Sequence, residues 1–222
     1  MPDPKPNSLV GDDVDLHIEP PSPQYVSRGG DKLEGALTSF DLAVRGRRTV
    51  DVGASSGGFT DCLLQRDVSS VVAVDVGYGQ LAWKLRTDPR VTVFDRTNIR
   101  RVDPAALGAP FDLVVADLSF ISLLTVAPAL FSLGEDRTDY VLLVKPQFEA
   151  AIEDVGPGGV VRDTETHRMV LHRVIEGLSK EGLGVIAACR SPIEGAQGNR
   201  EFFVWARSGP TTVTSADVEA VT

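Results

Sequence analysis

The residues with most to say about chemistry lie in one stretch, "TVDVGASSGGFTDCLL", where Asp51, Gly53, Gly57 and Gly58 stand at the junction of an apolar run and a helix-like run. Glycine allows positive φ and lets a ligand approach a backbone that carries no Cβ. No Gly-Lys-Ser/Thr follows, which excludes a Walker A loop, and Ser55 stands where G-x-G-x-x-G would need a glycine. The next apolar run, "VVAVDVGYGQ", ends in Asp75, an acid suited to accept hydrogen bonds from both hydroxyls of a ribose. Asp51 could face an amino or cationic group. Two acids around a glycine turn, with nothing to cradle phosphate, favour a nucleoside without pyrophosphate, and S-adenosylmethionine fits that description. A variant dinucleotide site and a purely structural turn remain the alternatives at this point.

Such a turn works only if strands and helices alternate around it. Apolar strand-like runs are expected at 48–53, 70–76, 91–94, 111–117 and 140–145, and helices at 30–40, about 59–66 and 165–181. The last pair of runs, 184–189 and 201–206, is separated by a Gly/Asn-rich segment and predicts an antiparallel hairpin. Strands apolar on both faces imply an open, mainly parallel sheet covered by helices on each side, with the antiparallel last strand as its one departure. In such a sheet ligands bind beyond the carboxyl ends of the strands, where the order reverses. Asp51, Asp75 and two further run-ending residues, Asp117 in "FDLVVAD" and Lys145 in "YVLLVK", should therefore share one edge.

Composition narrows the classes. With 42% hydrophobic and 24% charged residues over 222, the chain is neither disordered, collagen-like nor a coiled coil. Cys62 and Cys189 stand far apart in apolar runs, as small buried hydrophobes would. The first twenty residues lack a basic segment followed by an apolar one, so no signal peptide is visible, and the most apolar stretch, 111–131, contains Asp112, Asp117 and Pro128. A cytoplasmic protein without a membrane partner is the expectation. A net charge of −9 speaks against nucleic acid, yet residues 25–208 hold 24 acids and 21 bases, so most of the excess belongs to the ends.

The motifs "VSRGGDKLEGAL", "DVGASSGGFTDCLL", "VDVGYGQLAWKLR", "DLVVADLSFISL", "LVKPQFE" and "GNREFFVW" occur in order across residues 25–207. Together they resemble the TlyA (haemolysin A) family of ribosomal RNA 2′-O-methyltransferases, relatives of the FtsJ type. The resemblance implies a Rossmann-like class I S-adenosylmethionine methyltransferase, α/β, with a seven-stranded mainly parallel sheet and one antiparallel strand. It implies ribosomal RNA or ribosomal subunits as partners and a Lys-Asp-Lys-Glu catalytic set, carried by Lys32, Asp117, Lys145 and Glu201. For the cofactor, Gly53, Ser55, Gly57, Gly58 and Phe59 would line the methionine side, with Asp51 nearby. Asp75 would take the ribose, and Asn98 or Asp95 the adenine edge. Tyr78 and Trp83 suit either stacking or helix packing. Each catalytic candidate also has a plain alternative: Lys145 a strand-end lysine, Asp117 a helix cap, Lys32 and Glu201 surface charges.

A ribose 2′-hydroxyl is a weak nucleophile near neutral pH, so a base must take its proton as it attacks the methyl group. Lys145 is the candidate base, Lys32 the neighbouring cation that also orients the hydroxyl, and Asp117 and Glu201 the groups that hold the two lysines. Family members begin with a basic S4-type RNA-binding domain. Residues 1–24 resemble only the end of that domain, with one or two short strands and a Pro-rich linker. Residues 25–208 form the methyltransferase domain, and 209–222 are expected as a flexible tail. Basic residues near the entrance would be Arg28, Lys32, Arg45, Arg47, Arg48, Arg96, Arg100 and Arg101, although a cluster such as "RGRR" is more often a solvated turn than an RNA patch. A membrane-active haemolysin and a non-catalytic cofactor- or RNA-binding module are the competing functions.

Overall fold

A computed structural model describes residues 23–222. The short-strand and linker segment expected before them lies almost wholly outside the described residues. The elements run α1 (Arg28–Ser39), β1 (Arg48–Val52), α2 (Gly58–Gln65), β2 (Ser70–Val74), α3 (Trp83–Arg86), β3 (Val91–Phe94), α4 (Pro104–Leu107), β4 (Leu113–Ala116), α5 (Leu123–Phe131), β5 (Asp139–Val144), α6 (Pro146–Glu149), α7 (Thr164–Lys180), β6 (Leu183–Arg190), β7 (Phe202–Ser208) and α8 (Ser215–Val221). The seven strands form one sheet in the order β3-β2-β1-β4-β5-β7-β6. All pairs from β3 to β5 are parallel, and β7 alone runs against its neighbours, pairing antiparallel with β5 and β6. The expected sheet, including its one reversed strand, is the one that forms.

Strand periodicity explains the two cores. Val50, Val52, Val114, Ala116, Leu142, Val144, Phe202 and Val204 point to one face and pack with α5 and α7. Val71, Ala73, Val115, Val141, Leu143 and Phe203 point to the other and pack with α1 and α2. Cys62 and Cys189 are both buried as free thiols in this second core. With both faces covered, the strands must be apolar on both sides, and their ends are the places where polar chemistry can meet solvent.

Segment 209–222 departs from the flexible tail expected of it. Thr214 and Asp217 form a reciprocal capping box, and the short helix they start buries Val218 against α7 and β6. Two turns carry too few apolar positions for a visible period, and the cap only has meaning once the helix has a surface to dock on. None of the described helices is long and apolar enough to cross a membrane.

Candidate active site

The strand order reverses between β1 and β4, and the loops leaving these two strands open a crevice at the carboxyl edge. The loops touch: a Cβ on Gly53 would lie 2.4 Å from the Asp117 carbonyl oxygen, and Gly53 has φ +87°. Glycine is therefore required there to let the β1 and β4 loops meet. A second close approach brings in α1. A Cβ on Gly58 would lie 2.4 Å from Ser27 Oγ and 2.7 Å from Gly30 N, so the first turns of α1 and α2 are in backbone contact. This contact carries Lys32 from α1 to the strand edge.

A cleft of about 520 Å3 lies along that edge, within the size range of small-ligand sites. Its polar residues include Ser55, Asp75, Gln80, Asn98, Asp117 and Ser119, and its apolar wall includes Val52, Val74, Ile99, Leu118 and Ile121. A recess of about 120 Å3 opens beside it, lined by Ser27, Gly29, Lys32, Gly58 and Phe59, and shares Gly53, Ser55 and Asp117 with the cleft. The Asp75 carboxylate accepts hydrogen bonds from the Ser55 amide at 2.8 Å and the Gly77 amide at 2.7 Å. These fix its rotamer, and a carboxylate has about four lone-pair sites, so it can still accept from a ligand diol. Asn98 is held by the Arg100 amide, which donates to its Oδ1.

The four catalytic candidates come together as two ion pairs. Lys32 Nζ donates to Glu201 Oε2 at 2.5 Å, with both side chains nearly enclosed, and Gln147 Nε2 approaches the other Glu201 oxygen at 3.5 Å. Lys145 Nζ lies 2.5 Å from Asp117 Oδ1, donates to Ser119 Oγ at 2.9 Å and sits 5.9 Å from the centre of the Phe148 ring. Lys145 does not itself line the cleft. It reaches the cleft through Asp117 and Ser119, which do. Lys32 and Glu201 are thus not solvated surface charges, and Asp117 holds a lysine rather than capping α5, whose cap is Ser122.

Other candidates fall elsewhere. Asp51 is fully buried beneath the glycine turn and lines neither cleft nor recess. Its Oδ2 accepts from Thr60 Oγ1 at 2.7 Å, while Oδ1 has no partner among the described residues. Burial, with smaller contributions from the Asp117 and Asp75 carboxylates, pushes its pKa up to about 7. Gly57, with φ +99°, also lies outside the cleft, because Leu81 and Leu85 occupy the space a Cβ would need. Phe59 lines the recess while its ring packs on Phe203. Asp95 is tied to Arg86 and is not on the cleft wall. Tyr78 and Trp83 are largely exposed, so neither is a packing aromatic, and Arg96 lies over the Tyr78 ring.

The entrance arginines divide. Arg48 starts β1 at the opposite edge of the sheet, with Arg45 and Arg47 just before it, so all three stand far from any ligand in this crevice. Sequence reading also passed over residues that build the site. Ser119 holds Lys145, and Phe120 is exposed at the cleft wall beside Phe148. The buried Glu149 ties the two loops together by accepting from Ser122 Oγ at 2.7 Å and from the Leu123 amide at 2.5 Å. Burial raises the Glu149 pKa against these hydrogen bonds. All three residues stand inside motifs already singled out, "DLSFISL" and "LVKPQFE", but only contacts across the fold assign them work.

Comparison with known proteins follows the same lines. The family model described as FtsJ-like methyltransferase matches residues 25–208. The "16S/23S rRNA (cytidine-2'-O)-methyltransferase TlyA" of Mycobacterium tuberculosis (strain ATCC 25618 / H37Rv) is 49% identical over 217 residues, covering 97% of this chain and 81% of the relative. A solved structure from Streptococcus thermophilus that carries a hemolysin label superposes with a TM-score of 0.87 at 41% identity, covering 91% of this chain and 74% of that one. An S-adenosylmethionine dependent methyltransferase from Mesorhizobium loti shares the fold alone, with a TM-score of 0.56 at 16% identity over 78% of this chain and 96% of that one.

Proposed function

The chain belongs to the FtsJ-like methyltransferase family, and we propose that it is an enzyme that uses S-adenosylmethionine to methylate the 2′-hydroxyl of a cytidine ribose in ribosomal RNA. The observation that carries this reading is the pairing of Lys32 with Glu201 and Lys145 with Asp117 beside a cleft of nucleoside size. The residues fit the cofactor. Asp75 suits the ribose diol, and Ile99, Leu118 and Asn98 suit a purine. Gly53, Ser55 and the Lys32 recess lie where the amino acid end would go. When bound, the cofactor supplies an electrophilic methyl group on a sulfonium.

The chain's own residues do the rest. Lys145 Nζ receives the hydroxyl proton as the oxygen forms its new bond. Asp117 and Ser119 hold that amine in place, and Lys32, fixed by Glu201, donates to the hydroxyl and sets its direction. The larger share of the rate comes from alignment of oxygen, methyl and sulfur. An rRNA substrate carries a cytoplasmic location with it. The methyltransferase domain spans residues 25–208.

The test is incubation with radiolabelled S-adenosylmethionine and separated ribosomal subunits, followed by nuclease digestion and nucleoside chromatography. Label in 2′-O-methylcytidine is expected. Label confined to protein, to small molecules or to a base atom would sink the assignment, and leakage of dye from liposomes at comparable protein concentration would favour the membrane-active alternative.

A further inference from the structure

The carboxyl edge does not end at the catalytic pairs. Following the strand order, the residues at that edge are Asp75 after β2, Gly53 after β1, Asp117 after β4, Lys145 after β5, Glu201 before β7 and Arg190 at the end of β6. Neighbouring strands are about 4.8 Å apart, so β6 lies about 10 Å from β5. Beyond Glu201 lies a third depression, of about 470 Å3, lined by Arg190, Ser191, Pro192, Ile193, Glu194, Arg200 and Glu201. Glu201 is thus a shared wall, with one side on Lys32 and the other on this depression.

Arginine pairing at the β6 end of the carboxyl edge differs from that at the amino edge. At the amino edge Arg47 and Arg207 bind Asp139, and Arg48 donates to the carbonyls of Gly108 and Pro110. Among the described residues Arg190 and Arg200 form no ion pair with a side-chain carboxylate, and Arg200 donates at 3.4 Å to the backbone oxygen of Thr222. Arg28 joins them, donating to the Glu194 carbonyl on the rim. The charge of Glu201 is offset by Lys32, so three guanidinium groups stand against the one exposed carboxylate of Glu194.

The substrate chemistry requires such a place. The carbon that bears a 2′-hydroxyl is bonded to the carbon whose oxygen carries the 3′-phosphate. Any ribose held at the catalytic pairs therefore brings a phosphodiester with it, into a site already holding Asp75, Asp117 and Glu201. Lys32 and Lys145 are committed to carboxylates and cannot neutralise it. Building on the reading of the site as an RNA ribose methyltransferase, we propose that Arg190 and Arg200 form a phosphate-binding subsite that holds the RNA backbone beside the methylated nucleotide. Guanidinium groups suit the task, since their planar forks match phosphate oxygens and their charge is permanent.

The test measures binding of the full chain to a short, fluorescently labelled single-stranded ribosomal RNA fragment across a salt series. Loss of two phosphate contacts should weaken binding and flatten the slope of log K against log salt by about 1.4, at roughly 0.7 per contact on a single strand. The Arg190→Gln/Arg200→Gln double variant should show this while binding S-adenosylmethionine as tightly as the parent. In methylation of ribosomal subunits its KM for RNA should rise about tenfold with kcat retained. Arg200→Lys should keep the slope, and the exposed Arg190→Gln alone should give half the change if the double variant proves poorly folded.

An unchanged slope, a defect confined to cofactor affinity or kcat, or an equal effect from Arg137→Gln, an exposed arginine in the turn before β5 at the opposite edge, would each overturn the subsite. A parent protein that binds RNA with the expected slope but transfers no methyl to ribose would instead overturn the proposed function and leave the subsite standing.

Discussion

The sheet carries buried charge at both ends, and the two ends use it differently. At the amino edge Asp139, 1% exposed, accepts from Arg47, Arg207 and the Trp205 indole. Burial alone would raise its pKa, but hydrogen bonds from Arg207, Arg47 and Trp205 reverse this and hold the carboxyl below its ordinary value. At the carboxyl edge, around the ends of β4, β5 and β7, the paired bases are the lysines Lys32 and Lys145, each held by one carboxylate and each next to a cleft or recess. Asp51, just beneath them, is fully buried with one oxygen unpartnered and its pKa raised. Burial of charge does not by itself mark a site. Arginine knots around a satisfied acid fasten the structure, whereas lysine–carboxylate pairs beside open volume, able to exchange a proton, mark candidate chemistry.

Four substitutions test that contrast. The largest effect is expected from Lys145→Ala, which should lower methyl transfer by about 10³-fold or more while cofactor affinity, measured by calorimetry, stays near the parent's. Near-normal turnover would remove Lys145 from the mechanism. Asp139→Asn should do the reverse. Loss of a buried partner to two arginines costs about 3 kcal/mol of stability in urea unfolding, with activity per folded molecule retained, and a catalytic loss at unchanged stability would break the comparison.

The third test uses pH, because the two buried aspartates titrate in opposite senses. Asp139, with its folded pKa lowered, contributes stability that is present above the unfolded value and lost as pH falls through the folded one. Asp51, with its folded pKa raised to about 7, favours the folded state below the unfolded value and loses that advantage as pH rises towards 7. Asp51→Asn should therefore gain about 2 kcal/mol over the parent between pH 5 and 8, whereas Asp139→Asn should approach the parent only in acid. Thermal melts across pH decide it, and parallel curves for both variants would refute the assignment. The smallest effect belongs to Ser119→Ala, which removes one hydrogen bond from Lys145. About a tenfold fall in kcat is expected, with the KM for RNA unchanged.

Much of this was legible in the residues, for reasons that can be stated. Strands buried on both faces must be continuously apolar, so β1, β2, β4 and β5 stand out, and a charged residue ending such a run must sit at the sheet edge. That is why Asp75, Asp117 and Lys145 could be placed from "VVAVD", "FDLVVAD" and "YVLLVK". The glycine turn was harder. Gly53, Gly57 and Gly58 look alike in sequence, yet Gly53 admits the Asp117 carbonyl, Gly57 makes room for Leu81 and Leu85, and Gly58 admits α1. What a glycine makes room for depends on a distant neighbour. The same holds for α8, whose capping box needed a docking surface, and for "RGRR", which forms the solvated turn that was its commoner reading, at the edge opposite the entrance.

The sequence by itself determined the sheet, its one reversed strand, and which charged residues end its strands, because periodicity and run length follow from local backbone geometry. It was equally sufficient for the family, through motifs long enough to carry a resemblance. Only the tertiary structure decided which charges pair: Lys32 with Glu201 across 169 positions of chain, Lys145 with Asp117 at the ends of adjacent strands, and Arg47 with Arg207 around Asp139, while Arg190 and Arg200 form no ion pair with a side-chain carboxylate among the described residues. The physical reason is that an ion pair is set by distance and burial, and neither is encoded at any single position until the two cores have brought the strand ends into line.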